Sequence, residues 1–82
     1  MVEALYGRLT VLLRRAFQND TLIATPDLRF AAIPGWRPMA YMRLMTMVEE
    51  EFDIDIIPEL EGTGFMTFVG ELADLIAERC DD

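Results

Sequence analysis

Apolar residues in the first 17 positions fall at Val2, Leu5, Tyr6, Leu9, Leu12, Leu13, Ala16 and Phe17. Steps of three and four gather them on one side of a helix and predict an amphipathic helix over Val2–Phe17, stopped near Asn19 by the turn-forming "QND". The period then disappears. Residues 19–36 carry Pro26, Pro34 and Gly35 and read as a loop with one short turn. Structureless connections of that length are uncommon in compact domains, so Leu22, Ile23, Leu28, Phe30, Ile33 and Trp36 are expected to pack across the helices. Helical spacing returns from Pro38 to Phe52, with Tyr41, Leu44, Met45, Val48 and Phe52 inward and Met39, Met42 and Thr46 on a neighbouring stripe. Pro58 and "EGTG" leave room for one short helix around residues 58–65. Val69, Leu72, Ala73, Ile76 and Cys80 predict a last helix over residues 68–79, capped by Thr67. The expectation is an all-α four-helix bundle of one domain, 1–82, with three main helices, one short one and a long first loop.

Charge narrows the partners. Fifteen acidic residues against seven basic ones give a net charge of -8 over 82 residues, which disfavours a phosphate backbone or an anionic membrane surface and suits a basic protein surface. Neither nucleic acid nor membrane is expected as a partner. All seven basic residues are Arg, and Lys, His and Ser are absent from the chain. A nucleophile with an adjacent base is therefore hard to assemble, and no enzyme activity is expected. The carboxylates lack the loop spacing of a calcium site, so no metal is expected. Cys80, the single cysteine, cannot form an internal disulfide and reads as an ordinary thiol in a reducing compartment. No apolar run approaches the length of a membrane span, and "MVEALYGRL" lacks the layout of a secretory signal; a cytoplasmic monomer is expected.

The order of elements, "IPGW" before the second helix, "LMTMVEEEFDIDI" through and after it and "FVGELADLI" opening the last helix resemble the acyl carrier protein family over nearly the whole chain. The resemblance implies a phosphopantetheine-binding four-helix fold from fatty-acid, polyketide or related pathways, whose second helix meets partner enzymes. Members of that family carry Asp-Ser-Leu directly after the "GW" position, and the serine hydroxyl receives 4'-phosphopantetheine from coenzyme A. Here Arg37, Pro38 and Met39 stand in those places.

A pyrrolidine ring offers no oxygen nucleophile, so no cofactor is expected on Pro38. Thr46 lies about two turns further on, and Thr67 is predicted beside another helix. Proline suits the first helical position, but Arg37 gives up a side-chain cap usually worth about 0.5–2 kcal/mol and sets a cation against the positive end of the helix dipole. Two readings follow. In one, the chain is an interaction module that binds a biosynthetic enzyme or complex non-covalently through the second helix. In the other, it is a genuine carrier of thioester intermediates whose attachment motif was lost or altered.

The resemblance puts the recognition surface on the second helix. Trp36, Arg37, Met39, Met42, Arg43, Glu49 and Glu50 are the candidate partner-binding residues, with Glu51, Asp53 and Asp55 extending the acidic end. Arg37 and Arg43 make the helix bipolar. Met45 is expected in the core, and Trp36 is expected to help close the loop over it. Any cleft between the helices is expected to be filled by Phe30, Phe65 and Phe68.

Overall fold

The computed structural model describes residues 2–60 and 64–80. Helix α1 spans Val2–Phe17, α2 Pro38–Phe52, α3 Ile57–Leu60 and α4 Val69–Arg79, with a 3-10 turn at Phe30–Ala32 in the long first loop. The chain is all-α, and among the described residues the only extended pairing is a single bridge between Arg29 and Phe68.

Each long helix buries most of the face its spacing predicts, with Leu5, Tyr6 and Phe52 partly buried at the edges and the Val2 side chain outside those described. Leu9, Leu12, Leu13, Ala16 and Phe17 from α1 meet Tyr41, Leu44, Met45 and Val48 from α2 and Val69, Leu72, Ala73 and Ile76 from α4 in one apolar cluster. Burial at roughly 25 cal/mol per Å² of apolar surface makes this cluster the main source of stability. No charged side chain is buried among the described residues. Cys80 departs from its predicted place: it follows the last turn of α4 and is exposed, its thiol 3.9 Å from the Phe52 carbonyl. The helical spacing runs on past the point where the core ends.

Both long helices at the front of the chain stop on left-handed residues. Gln18 has φ 53° and Asp53 φ 56°, and in each case the next amide reaches back five residues, Asn19 to the Arg14 carbonyl at 3.1 Å and Ile54 to the Glu49 carbonyl at 3.2 Å. This closes carbonyls that the helix end leaves without partners.

The long loop is bound down along its length. The Asn19 carboxamide oxygen accepts from the Thr21 amide and hydroxyl, and the Thr10 hydroxyl on α1 accepts from the Ala24 amide at 2.9 Å. Leu22 and Ala24 turn inward while Ile23 between them is exposed, so the extended backbone, with its alternating faces, removes one of the predicted packing residues. Phe30 and Ile33 are buried, and the Phe30 ring stands edge-on to Tyr41 at 5.2 Å.

Pro34 and Gly35 then make the turn that launches α2. The Trp36 amide donates to the Ile33 carbonyl at 3.0 Å, and Gly35 takes φ 86°. Proline at the second position and a glycine at positive φ at the third define a type II turn, which explains "IPGW" physically. The predicted short helix is a single turn, Ile57–Leu60, and residues 61–63 of the range predicted for it lie outside the described residues.

Candidate functional site

The start of α2 follows the sequence closely. Pro38 is the first helical residue and Arg37 the residue before it, extended at φ -160° and without a side-chain cap. The Tyr41 amide makes the first intrahelical bond, to the Arg37 carbonyl at 3.0 Å, and no acceptor among the described residues meets the Met39 or Ala40 amide. The first turn is therefore bare, with exposed Arg37, Pro38 and Met39 around it.

Along α2 the exposed positions Met39, Met42, Arg43, Thr46, Glu50 and Asp53 recur at three and four residues. They form one outward stripe opposite the buried Ala40, Tyr41, Leu44 and Val48. Met39 is 74% exposed and Met42 41%, whereas Met45 is fully buried, which separates the surface methionines from the core one as expected. Near the start of the stripe a cleft of about 250 Å³ between α1 and α2 is lined by Gly35, Arg37, Met39 and Arg43. At its end a broader hollow of about 510 Å³ is lined by Glu49, Glu50, Asp53, Asp55 and Arg79. The helix is basic at one end and acidic at the other.

Two of the acidic residues have work inside the molecule. The Glu49 carboxylate, half-buried, accepts from the amides of Ile56 and Ile57 at 2.8 and 3.0 Å and so fastens α3 to α2. Glu49 is therefore a poor partner-binding residue. Its spacing to its partners, seven and eight residues away across a chain reversal, left no periodic signal in the sequence. Glu51 pairs with Arg8 on α1 at 2.9 Å, and the Arg8 guanidinium also lies 4.3 Å over the Phe52 ring. Both groups are exposed, so the pair contributes a modest amount. Glu50, Asp53 and Asp55 remain on the surface.

Trp36 turns inward. It packs half-buried on the core with its ring edge-on to Phe65 at 5.6 Å, and its indole N–H is buried without an acceptor among the described residues. It closes the loop over the core and is not part of the exposed stripe.

The expected filling of the cleft holds only in part. Phe30 is buried in the core, and Phe68 is half-buried under the Arg29 guanidinium at 5.4 Å. Phe65 is 52% exposed. With Tyr41, Met42, Ile57, Leu60 and Gly64 it lines an apolar groove of about 230 Å³ that opens between α2 and α3.

The Tyr41 hydroxyl accepts from the Met66 amide at 2.9 Å and so ties α2 to the segment before α4. Burial, and less strongly the Glu71 carboxylate, raise the Tyr41 phenol above its ordinary pKa, while the hydrogen bond from Met66 pulls the other way.

The start of α4 corrects the sequence reading. Thr67 does not cap it; the helix begins at Val69 after an extended Phe68. The Glu71 carboxylate reaches back instead, accepting from the amides of Thr67 and Phe68 at 2.8 Å each. The Val69 and Gly70 amides donate to the Leu28 and Pro26 carbonyls at 2.8 and 3.1 Å. The loop carbonyls take the Val69 and Gly70 amides that a Thr67 hydroxyl would have met, and the acid takes the two amides before them.

What these elements define is a small helical protein whose second helix starts bare and exposed. No group of three or more His, Cys, Asp or Glu residues placed to hold a metal occurs among the described residues, and no helix among them is long and apolar enough to cross a membrane. No family model matches the chain, and no curated protein or solved structure matches it either.

Proposed function

We propose that the chain is an acyl-carrier-protein-like module that cannot be phosphopantetheinylated and that binds a biosynthetic enzyme or complex non-covalently through α2, in or near a fatty-acid or polyketide type of pathway. The observation that carries this reading is Pro38 as the first helical residue of a bare, exposed helix start, with no hydroxyl in that turn. The nearest downstream hydroxyl on α2, that of Thr46, is directed to the Met42 carbonyl of its own helix at 3.2 Å. Helix order, the bound-down loop and the turn at Pro34–Gly35 that delivers α2 are the features that support the carrier-like frame. In this reading the protein is a cytoplasmic monomer, carries no prosthetic group and catalyses nothing.

The open apolar groove between α2 and α3 favours a second reading, a genuine thioester carrier whose attachment motif was altered. Two experiments separate them. Incubation with coenzyme A and a broad-specificity phosphopantetheinyl transferase is expected to leave the intact mass unchanged, and a gain of one phosphopantetheine would overturn the first reading. If Arg37→Asp with Pro38→Ser restores loading and thioester transfer, the altered-carrier reading gains. Affinity capture from the native cell is expected to retain a biosynthetic enzyme with the unmodified chain and lose it with Met39→Asp and Met42→Asp together; indifference to that change would remove α2 from the account.

A further inference from the structure

The order of charges on α2 runs against the helix that carries it. Cations favour helix C-termini and carboxylates N-termini, each by about 0.3–1 kcal/mol at exposed positions. Arg37 stands at the N-cap of α2 and Arg43 on the outer stripe beyond the first turn, with Glu50 and Asp53 at the end. Neither Arg37 nor Arg43 meets a carboxylate among the described residues. The helix dipole therefore does not account for this arrangement.

We propose that this stripe docks a helix of a protein partner whose charges run in matching opposition: carboxylates against Arg37 and Arg43, cations against Glu50 and Asp53, and an apolar side chain in the groove beside Met42 and Phe65, alongside the basic half. The inference rests on the interaction reading above and supplies its partner's chemistry. The two charged ends are separated by about 10 Å at their nearest, Arg43 to Glu50, and about 24 Å at their farthest, Arg37 to Asp53, at 1.5 Å per residue, more than the Debye length of about 8 Å at physiological salt. Each end is read on its own. A uniformly basic surface, the partner suggested by the net charge of -8, is repelled at the Arg37–Arg43 end, and a uniformly acidic one is repelled at the other.

The stripe follows the three-and-four spacing of a straight ridge, and Thr46, small and exposed at its middle, lets a second helix approach. The groove supplies the desolvated contact that charge pairs at a rim do not. It is apolar, holds about 230 Å³ and is flanked by two exposed apolar side chains, Met42 and Phe65.

Fluorescence anisotropy with labelled synthetic helical peptides about five turns long tests this. The peptides share a central leucine and differ in charge: acid-first, base-first, all-lysine and all-glutamate. One of the two bipolar peptides is expected to bind about tenfold more tightly than the all-lysine peptide, the yield of a few rim pairs. Arg37→Glu with Arg43→Glu is expected to reverse that order without harming the fold, because an acid suits the Arg37 position at the helix start and Arg43 is exposed beyond the first turn. Met42→Asp is expected to weaken every peptide that binds.

Tightest binding by the all-lysine peptide, or no binding by any peptide up to millimolar concentration, overturns the proposal. So does sedimentation of the chain alone as a dimer that Arg43→Glu dissolves, which would make a second copy the occupant. If the peptides fail while capture of a cellular enzyme still depends on Met39 and Met42, the charge order is wrong and the interaction reading stands.

Discussion

Helices α4 and α2 both begin on an extended residue whose side chain makes no capping bond, yet the two starts are opposites. At α4 the Glu71 carboxylate and the Leu28 and Pro26 carbonyls occupy the amides from Thr67 to Gly70. At α2 the first amide is removed by Pro38, the next two meet no acceptor among the described residues, and a cation stands in the capping position. One start is built into the fold, and the other is left to solvent or to a partner. The difference shows that a helix start can be locally unfavourable and still tolerated when the buried face of the same helix, here Tyr41, Leu44, Met45 and Val48, is well packed.

The largest expected contrast comes from the second residue of each helix. A Cβ on Gly70 would lie 2.8 Å from the Pro26 carbonyl oxygen and 3.2 Å from its Cα, both backbone atoms. Gly70→Ala is therefore expected to cost about 1–3 kcal/mol, read as a lower midpoint in urea unfolding. Met39→Ala at the matching position of α2 should stay within about 0.5 kcal/mol. Equal costs would break the comparison.

Next in size is Glu71→Ala, which leaves the Thr67 and Phe68 amides without their acceptor. Calorimetry is expected to show a loss of about 1–2 kcal/mol, with Glu71→Gln recovering part of it. A gain is expected at the other start. Arg37→Asp restores a capping acceptor and the favourable dipole sign and should stabilise the chain by about 1 kcal/mol. An unchanged midpoint would show that the α2 start is already satisfied in a way its geometry does not suggest.

Tyr41 joins the two starts, and its titration gives the smallest effect. Burial places its folded pKa above the ordinary phenol value of about 10, so the unfolded chain ionises first. Stability is flat below about pH 10 and falls as pH rises from there through the raised value. Urea midpoints across that range should fall less steeply for Tyr41→Phe than for the unmodified chain. The slope should not vanish, because burial raises Tyr6 as well.

The long helices were legible because each buries a face wide enough to impose its period over three or four turns. Terminal and tertiary details were not. Cys80 kept the spacing of α4 but lay beyond the core that gives the spacing meaning. Thr67 looked like a cap because hydroxyls commonly serve there, while Glu71 and two loop carbonyls some forty positions earlier in the chain took the donors. Exposed Met39 and Met42 and buried Met45 separate by helical angle alone, so that part of the candidate site could be read in advance. Glu49 could not, since its partners lie beyond a reversal that leaves no pattern.

The clasp from Glu49 to Ile56 and Ile57 bears on how such a helix is mapped by mutagenesis. In a charge-reversal scan along α2, position 49 would lose activity by releasing α3, and position 51 would report on the link to Arg8. Among the acidic positions only 50 and 53 would report contact with a partner, as position 43 would at the basic end. A scan scored by binding alone would draw the interface around the scaffold, and parallel melting curves are what would separate the two.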